Sequence, residues 1–267
     1  MFFQTPLTAD ERLDRVRSNL ARAVPRLPYM PEHKRPAAIC GYGPSLTRTW
    51  QDIQGVVFST SGAHDFLIER GVIPRYHVEC DPRAHKSKFV QRPHKDVTYL
   101  INSQCHPLMF NALRGHDVRL WHGFTDDDYR RQVSLIHSVD PGYRVLAGGT
   151  NVGMRAIVVA RELGHVGFDL HGLDCSYQPG AQWAGAHYGQ SQPVVIVEVE
   201  GRQFLTSAAM MTATDDFFSL FAMLGPCRYK VHGDGLLDAR LRMYLRDPAL
   251  ALSPNWWKPV DFVLRAA

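Results

Sequence analysis

The chain has no apolar run near the length of about 18 residues that a membrane-spanning helix needs. No basic-then-apolar leader is legible at its start, so the expected location is the cytoplasm. Its five cysteines, Cys40, Cys80, Cys105, Cys175 and Cys227, are odd in number and far apart. That spacing argues against a disulfide framework and predicts reduced, buried thiols in an intracellular protein. There is no Cys-x-x-Cys pair and no His-Glu-x-x-His, so no zinc site is expected. "HVEC" at 77–80 has the His-x-Glu of zinc deaminases, but no Pro-Cys-x-x-Cys follows it. Gly-x-Ser-x-Gly, the esterase elbow, is missing too. Internal repeats and low-complexity stretches are also lacking.

Dense basic clusters are absent. Thirty Lys and Arg stand against 26 Asp and Glu, a formal net charge of +4. That balance suits an anionic ligand such as a nucleotide and does not by itself argue for nucleic acid. The densest basic stretch, "RAHKSKF" at 83–89, reads as a solvated face. With 267 residues, 45% hydrophobic and 21% charged, the chain can bury a core without disulfides or metals.

What the sequence does contain is alternation. "LTADERLDRVRSNLARAV" predicts a helix, with Thr8 and Glu11 forming a capping box and Leu13, Val16, Leu20 and Val24 an apolar stripe. "PRLPYMPEHKRP" carries four prolines and reads as an extended linker. Residues 1–35 are thus expected to be an N-terminal helical appendage. From residue 37, short apolar strands follow: "AAIC", "GVVFST", "YHVEC", "VTYLIN", "VRLW", "GFDLHG" and "YKVHG". Helical patterns such as "AHDFLIERG", "PLMFNALRG" and "NVGMRAIVVARELG" lie between them. This is the pattern of an α/β fold with a mostly parallel sheet. "VVIVEVEGRQFLT" at 194–206 predicts an inserted hairpin, followed by the helix "AAMMTATDDFFSLFAMLG". The main domain is expected over 36–246, and the aromatic tail 247–267 is expected to pack on the body or on a partner.

In such a sheet, ligands sit outside the carboxyl ends of the strands. The residues just past the strands are small, polar or ionisable: Gly41 to Ser45, Ser61 and Gly62, Asp81, Ser103 and His106, His122, Asp174 to Tyr177, and Asp234. Seven strand ends of one character predict one polar crevice. "GYGPSL" is neither the dinucleotide fingerprint nor a P-loop, for it lacks the third glycine of the one and the Gly-Lys-Ser/Thr ending of the other. Its glycines still allow close backbone approach, and its Pro-Ser-Leu amides open a helix whose start favours phosphate. The same residues also make an ordinary strand-to-helix turn. "LAGGTNVGM" offers a second helix start, with Gly148, Gly149, Thr150 and Asn151, preceded by Arg144; here too a plain glycine turn before a core helix is open. "HGLDCSYQPGAQWAGAHYG" ends a strand at Asp174 and carries Tyr177, Trp183, His187 and Tyr188. A histidine and a tyrosine on such a loop can move protons or hold a leaving phosphate, although this chain has 13 histidines.

Taken in order, "GYGPSL", "GVIPRYHVECDP", "GGTNVGMRAIVVARELG", "HGLDCSY", "EGRQFLTS" and "HGDGLL" resemble the MptE-like domain over about residues 37–240. That family is named for archaeal 6-hydroxymethylpterin diphosphokinase. Its domain is also the core of bacterial motility accessory factors, implicated in placing nonulosonic acids on flagellin. Part of the series is similar to bacterial sialyltransferases that use CMP-sialic acid. The resemblance implies a Rossmann-like sheet with helices on both faces, and transfer chemistry at a phosphate or a phosphate-linked sugar.

By motif, Gly41, Gly43, Pro44 and Ser45 would hold phosphate. Gly149, Thr150 and Asn151 would add contacts from the second helix start, and Ser61, Asp81, Ser103 and Asp174 would face the nucleotide. His187 matches the sialyltransferase general base, and Tyr177 a tyrosine on the leaving phosphate. That tyrosine stands three residues after the aspartate rather than two, "GGT" replaces Ser-Gly, and the large N-terminal domain of motility accessory factors is not seen.

The expected ligand is a nucleotide or nucleotide-sugar donor, with CMP favoured. The acceptor, whether glycan, protein, small alcohol or nucleic acid, is open, as is homo-oligomerisation. A sialyltransferase, by this resemblance, needs a base and fixed donors to the departing phosphate but no metal. A diphosphokinase would need Mg²⁺, for which Asp81, Asp174 and Asp234 are the candidates. A nucleotide-binding accessory protein without catalysis is the third reading.

Overall fold

The computed structural model describes residues 7–123, 129–178, 183–185 and 193–260. Helix α1 (Ala9–Leu20) begins at Thr8, whose side chain caps Glu11 while Glu11 reaches back to Thr8. The linker then runs along the outer edge of the sheet, exchanging hydrogen bonds through Pro25 and Leu27 with Leu120. The core alternates as the sequence predicts. It runs β1 (Ala37–Cys40), α2 (Leu46–Thr49), β2 (Val56–Thr60), α3 (Ala63–Ile68), β3 (Tyr76–Glu79), β4 (Thr98–Asn102), α4 (Pro107–Ala112), β5 (Asp117–Gly123), α5 (Tyr129–Val139), β6 (Val145–Leu146), α6 (Val152–Glu162) and β7 (Gly167–His171). The hairpin β8 (Val195–Val199) and β9 (Arg202–Thr206) follows, then α7 (Ala208–Leu224), β10 (Arg228–His232), α8 (Leu236–Arg246), α9 (Pro248–Leu252) and β11 (Lys258–Pro259).

Eight strands form one sheet in the order β10-β7-β1-β2-β3-β4-β5-β6, every pair parallel. Strand β1 is central. The chain leaves it toward β6 on one side and returns through α6 to add β7 and β10 on the other. The strand order therefore reverses at β1, and a switch point of this kind opens a crevice at the carboxyl ends. Strand side chains alternate between faces. Ala37 and Ile39 join the main core with α6, α7 and α8, whereas Ala38 and Cys40 join Leu46, Ala63, Phe66 and Leu67 on the opposite face. With both faces covered, β1 is apolar and buried at every position.

The hairpin pairs with β11 in a separate three-stranded sheet. Its two-residue turn, Glu200 and Gly201, has φ of 50° and 76°, the doubly left-handed turn that matches strand twist. The tail packs through Trp256, whose ring lies 4.0 Å from the Arg240 guanidinium. All five cysteines are free thiols, and all but Cys227 are buried. No helix among the described residues is long and apolar enough to cross a membrane.

Candidate functional site

The sheet register sets the site. Cys40 pairs with His171, and His171 with His232, so the loops after β1, β7 and β10 leave the sheet at one level. Each begins with a glycine, and the backbones lock together. Gly41 N–H donates to His171 O and Gly43 N–H to Gly172 O, both at 2.8 Å. Ser45 N–H donates to Asp174 Oδ2 at 2.9 Å. Leu237 N–H, from the β10 side, donates to Asp174 O at 3.1 Å. Gly172 has φ of +61°, and a Cβ there would lie 2.4 Å from Gly41 O, so this crossing admits only glycine. Asp174 is 6% exposed. Burial raises its carboxyl above the usual carboxylate range; hydrogen bonds from Ser45 oppose that rise, while the nearby Asp234 adds to it. Asp234 itself pairs with Arg48 at 2.6 Å.

Ser45 is fully buried, so its residue acts here by clamping Asp174 through its N–H. Its neighbour Tyr42 forms the crevice wall. A Cβ at Gly62 would lie 2.3 Å from the Tyr42 ring, and one at Gly185 would lie 2.5 Å from the Tyr42 hydroxyl. Ala184 N–H donates to Tyr42 O. The β1 loop thus touches both the start of α3 and the loop that carries Trp183. Tyr177 is buried, hydrogen-bonds through its N–H to Leu205 O, and meets the Trp183 ring edge-on at 6.2 Å. His187 and Tyr188 lie outside the described residues.

The start of α6 adjoins the β7 loop, because a Cβ at Gly153 would lie 2.3 Å from Leu173. It already holds a carboxylate. Thr150 N–H donates to Asp216 Oδ2 of α7 at 2.5 Å, beside Gly149, and Asn151 caps Met154 N–H at 2.9 Å. Asp216 occupies the place where the positive end of the helix would attract an anion. Nothing in the sequence pointed to Asp216, which lies 66 positions from Thr150. Asn151→Ala is expected to lower stability by about 1 kcal/mol, the usual cost of a lost N-cap, read by denaturant melts.

Farther along, Ser103 stands three strands from β1. Helix α1 covers it: Asn19 Nδ2 donates to Ser103 O and Cys105 O, both at 2.9 Å. His106 caps α4, accepting Leu108 N–H. His122 is buried beside the Tyr143 ring. The structure therefore gathers the ends of β1, β2, β7 and β10 and closes the β4 end with α1.

Between these lies a buried polar cluster at β2 and β3. Asp81 accepts Arg83 Nε on both oxygens, at 2.9 and 3.0 Å, and Lys86 Nζ stands 3.5 Å away. Burial works to raise the Asp81 carboxyl, but Arg83 and Lys86 hold it below the usual range. Glu79 is fully buried, which pushes its carboxyl up. Lys86 is 7% exposed, so the basic stretch is not a solvated face at this position. Two non-glycine residues in left-handed conformation, Ser61 (φ 46°) and Cys175 (φ 52°), stand at the ends of β2 and β7. Such strain concentrates at ligand sites. Among the described residues, no group of three or more His, Cys, Asp or Glu is placed to hold a metal ion, and Asp81, Asp174 and Asp234 do not form one.

A cavity of about 210 Å³ lies elsewhere, between the linker and β6, walled by Arg26, Tyr29, Trp121, Tyr143, Arg144 and Glu162. Its guanidiniums are paired within the protein, Arg144 to Glu162 at 3.1 Å and Arg26 to Asp140. The switch-point crevice, where three strand-end loops meet beside two strained residues, is the better candidate site.

Residues 11–180 match the family described as 6-hydroxymethylpterin diphosphokinase MptE-like. Among solved structures, the chain is similar to the MAf glycosyltransferase from Magnetospirillum magneticum AMB-1, at 15% identity and TM-score 0.61. That alignment covers 97% of this chain and 43% of the other, so the chain spans less than half of that protein. The sialyltransferase CstII from Campylobacter jejuni, solved with cytidine-5'-monophosphate, aligns at 16% identity and TM-score 0.44, over 86% of this chain and 91% of that one. At these identities the first likeness shows a shared fold. No curated protein sequence gives a significant match.

Proposed function

The chain belongs to the MptE-like family, and on that premise we propose that it is a nucleotide-dependent transferase, moving a sugar from a nucleotide donor to a hydroxyl acceptor. The observation that carries this reading is the clamp of Ser45 N–H on Asp174, which draws the β1, β7 and β10 loops into one polar crevice at the strand reversal. Gly41, Gly43 and Pro44 would line the phosphate seat and let it approach closely, while the Gly41 and Gly43 N–H groups stay bonded to the β7 loop, and Asp174 would orient the nucleoside. The acceptor oxygen would attack the anomeric carbon as the bond to the donor phosphate breaks. The acceptor's proton would pass to a base, for which the sequence resemblance offers His187. The electron pair would leave on the phosphate, with Tyr177 as the candidate donor to it. A CMP-linked donor follows from the same resemblance.

The second reading is a diphosphokinase, favoured by the family's description. It would require Mg²⁺. The present residues fit that ion poorly, since Asp81 is held by Arg83 and Asp234 by Arg48.

A thermal-shift screen against CMP, CDP, UDP, GDP, AMP and ATP, with Mg²⁺ or with EDTA, tests both. A ligand at 100 times its Kd adds about 2.7 kcal/mol, and a chain of this size gains roughly 2–4 °C per kcal/mol. The expected result is a rise of that order with one pyrimidine nucleotide in EDTA. A shift seen only with ATP and Mg²⁺ favours the diphosphokinase. No shift with any nucleotide at millimolar concentration overturns the nucleotide reading.

A further inference from the structure

We infer that Lys86, seated on Ser61, is the cation that receives the anionic end of the ligand in the crevice. This rests on the nucleotide reading above. Lys86 belongs to the short 3₁₀ segment Ala84–Phe89 that follows β3. Its Nζ donates to Ser61 Oγ at 3.0 Å and lies 3.5 Å from Asp81 Oδ2. It also stands 5.0 Å from the centre of the Phe89 ring, and Phe89 meets Tyr42 of the β1 loop edge-on at 6.0 Å. The ammonium is thereby tied to the same wall as the clamp.

A buried ammonium is costly unless its charge is matched. Two carboxylates, Glu79 and Asp81, feel its charge, but both are shared with other donors. Asp81 is already engaged by Arg83 through its side chain and its N–H. Glu79, the other carboxylate, is reached by the Ser61 hydroxyl at 3.4 Å and accepts the N–H groups of Cys80 and Asp81. An ammonium has three donors, and Ser61 and Asp81 account for two. Among the described residues no third acceptor hydrogen-bonds to it or pairs with it, which leaves one donor for an incoming anion.

Ser61 supplies an independent sign. At φ 46° a glycine would hold the same turn more cheaply. The serine adds the hydroxyl that bridges Lys86 and Glu79. It does so one residue before Gly62, which lies against Tyr42. Strain is thus retained where the lysine needs a seat.

The test is titration calorimetry on the full chain with CMP, UDP and ATP, each against cytidine, uridine and adenosine. The wild type is expected to prefer nucleotide over nucleoside. Lys86→Met is expected to weaken nucleotide binding about tenfold or more, the scale of a lost charged hydrogen bond, and to leave nucleoside binding unchanged. Ser61→Gly is expected to weaken nucleotide binding as well, while its melting temperature holds or rises. This second variant decides the matter if Lys86→Met does not fold. Should both variants bind nucleotide as the wild type does, the inference falls and the nucleotide reading stands. Equal wild-type affinity for nucleotide and nucleoside also overturns it. A wild type that binds neither removes both.

Discussion

Gly43→Ala is expected to abolish measurable nucleotide binding and to lower the melting temperature. A Cβ at this position would lie 2.4 Å from Asp174 Oδ2 and 2.7 Å from Gly172 O. Real Cβ atoms do not approach oxygen so closely, so something must move. The loop has little freedom to do so, because Gly43 N–H is bonded to Gly172 O at 2.8 Å and Ser45 N–H to Asp174 at 2.9 Å. Gly172 is itself pinned by its crossing with Gly41. The methyl must therefore break the clamp or push the β1 and β7 loops apart. Overpacking of this kind costs about 1–3 kcal/mol. A displacement of about 1 Å in a positioned site costs roughly 100-fold in function.

Gly71→Ala is the control. Gly71 also has a left-handed φ, +77°, yet a Cβ there meets nothing within 4 Å. That variant is expected to lose about 1 kcal/mol and keep its ligand affinity. Calorimetric titration with the nucleotide found in the screen, beside thermal melts, separates the two. If Gly43→Ala binds nucleotide as the wild type does, the β1 loop is not the phosphate seat.

The parts of this site that the sequence made legible are those encoded over short spans. "AAIC" ending in Gly-x-Gly predicts a buried strand and a close-approach loop, and both are present. The structure adds that alternate residues of β1 face two different clusters. Helices α5 and α8 and strand β6 escaped the pattern. Strand β6 has only two residues. Helix α8 reads as polar because of its arginines, yet Arg240 is 3% exposed, lying over the Trp256 and Phe218 rings and bonded to Ala251 O. A guanidinium that stacks and donates at once is buried without looking apolar. Strand order was also hidden, since the placing of β7 beside β1 depends on α6 crossing the sheet. The occupant of the α6 start, Asp216, comes from another helix. Lys86 did leave a trace: Arg83, Lys86 and Phe89 recur every third residue, the period of a 3₁₀ turn, so they share one side.

Acidification from pH 7.5 to 5 is expected to destabilise the protein by several kcal/mol. Burial holds His171 down to about 4 and, together with the Arg26 charge, His122 down to about 3. His77, fully buried against His64, is lowered well below its ordinary value in the same way. In the unfolded chain each titrates near 6.5. Below that pH the unfolded chain binds more protons than the folded one, so stability falls as pH falls. The contribution is complete above about pH 7 and is lost progressively down to the folded values. At pH 5 the gap of about 1.5 units costs about 2 kcal/mol for each of His122 and His171. His77 adds to the loss.

Glu79, Glu162 and Asp174 act in the opposite sense. Their raised carboxyls take up protons in the folded state before the unfolded chain does, which offsets part of the loss in acid. His85, His106 and His165 are lowered as well, so six histidines stand against three carboxyls whose rise is opposed by hydrogen bonds or neighbouring cations, and the histidines are expected to win above pH 5. Melting temperatures measured across that range should fall by several degrees, and His122→Phe, which keeps a ring against Tyr143 at the 4.4 Å contact, should flatten the slope. A melting temperature that is level from pH 7.5 to 5 would mean that these imidazoles are hydrated in solution and that the sheet ends are looser than described.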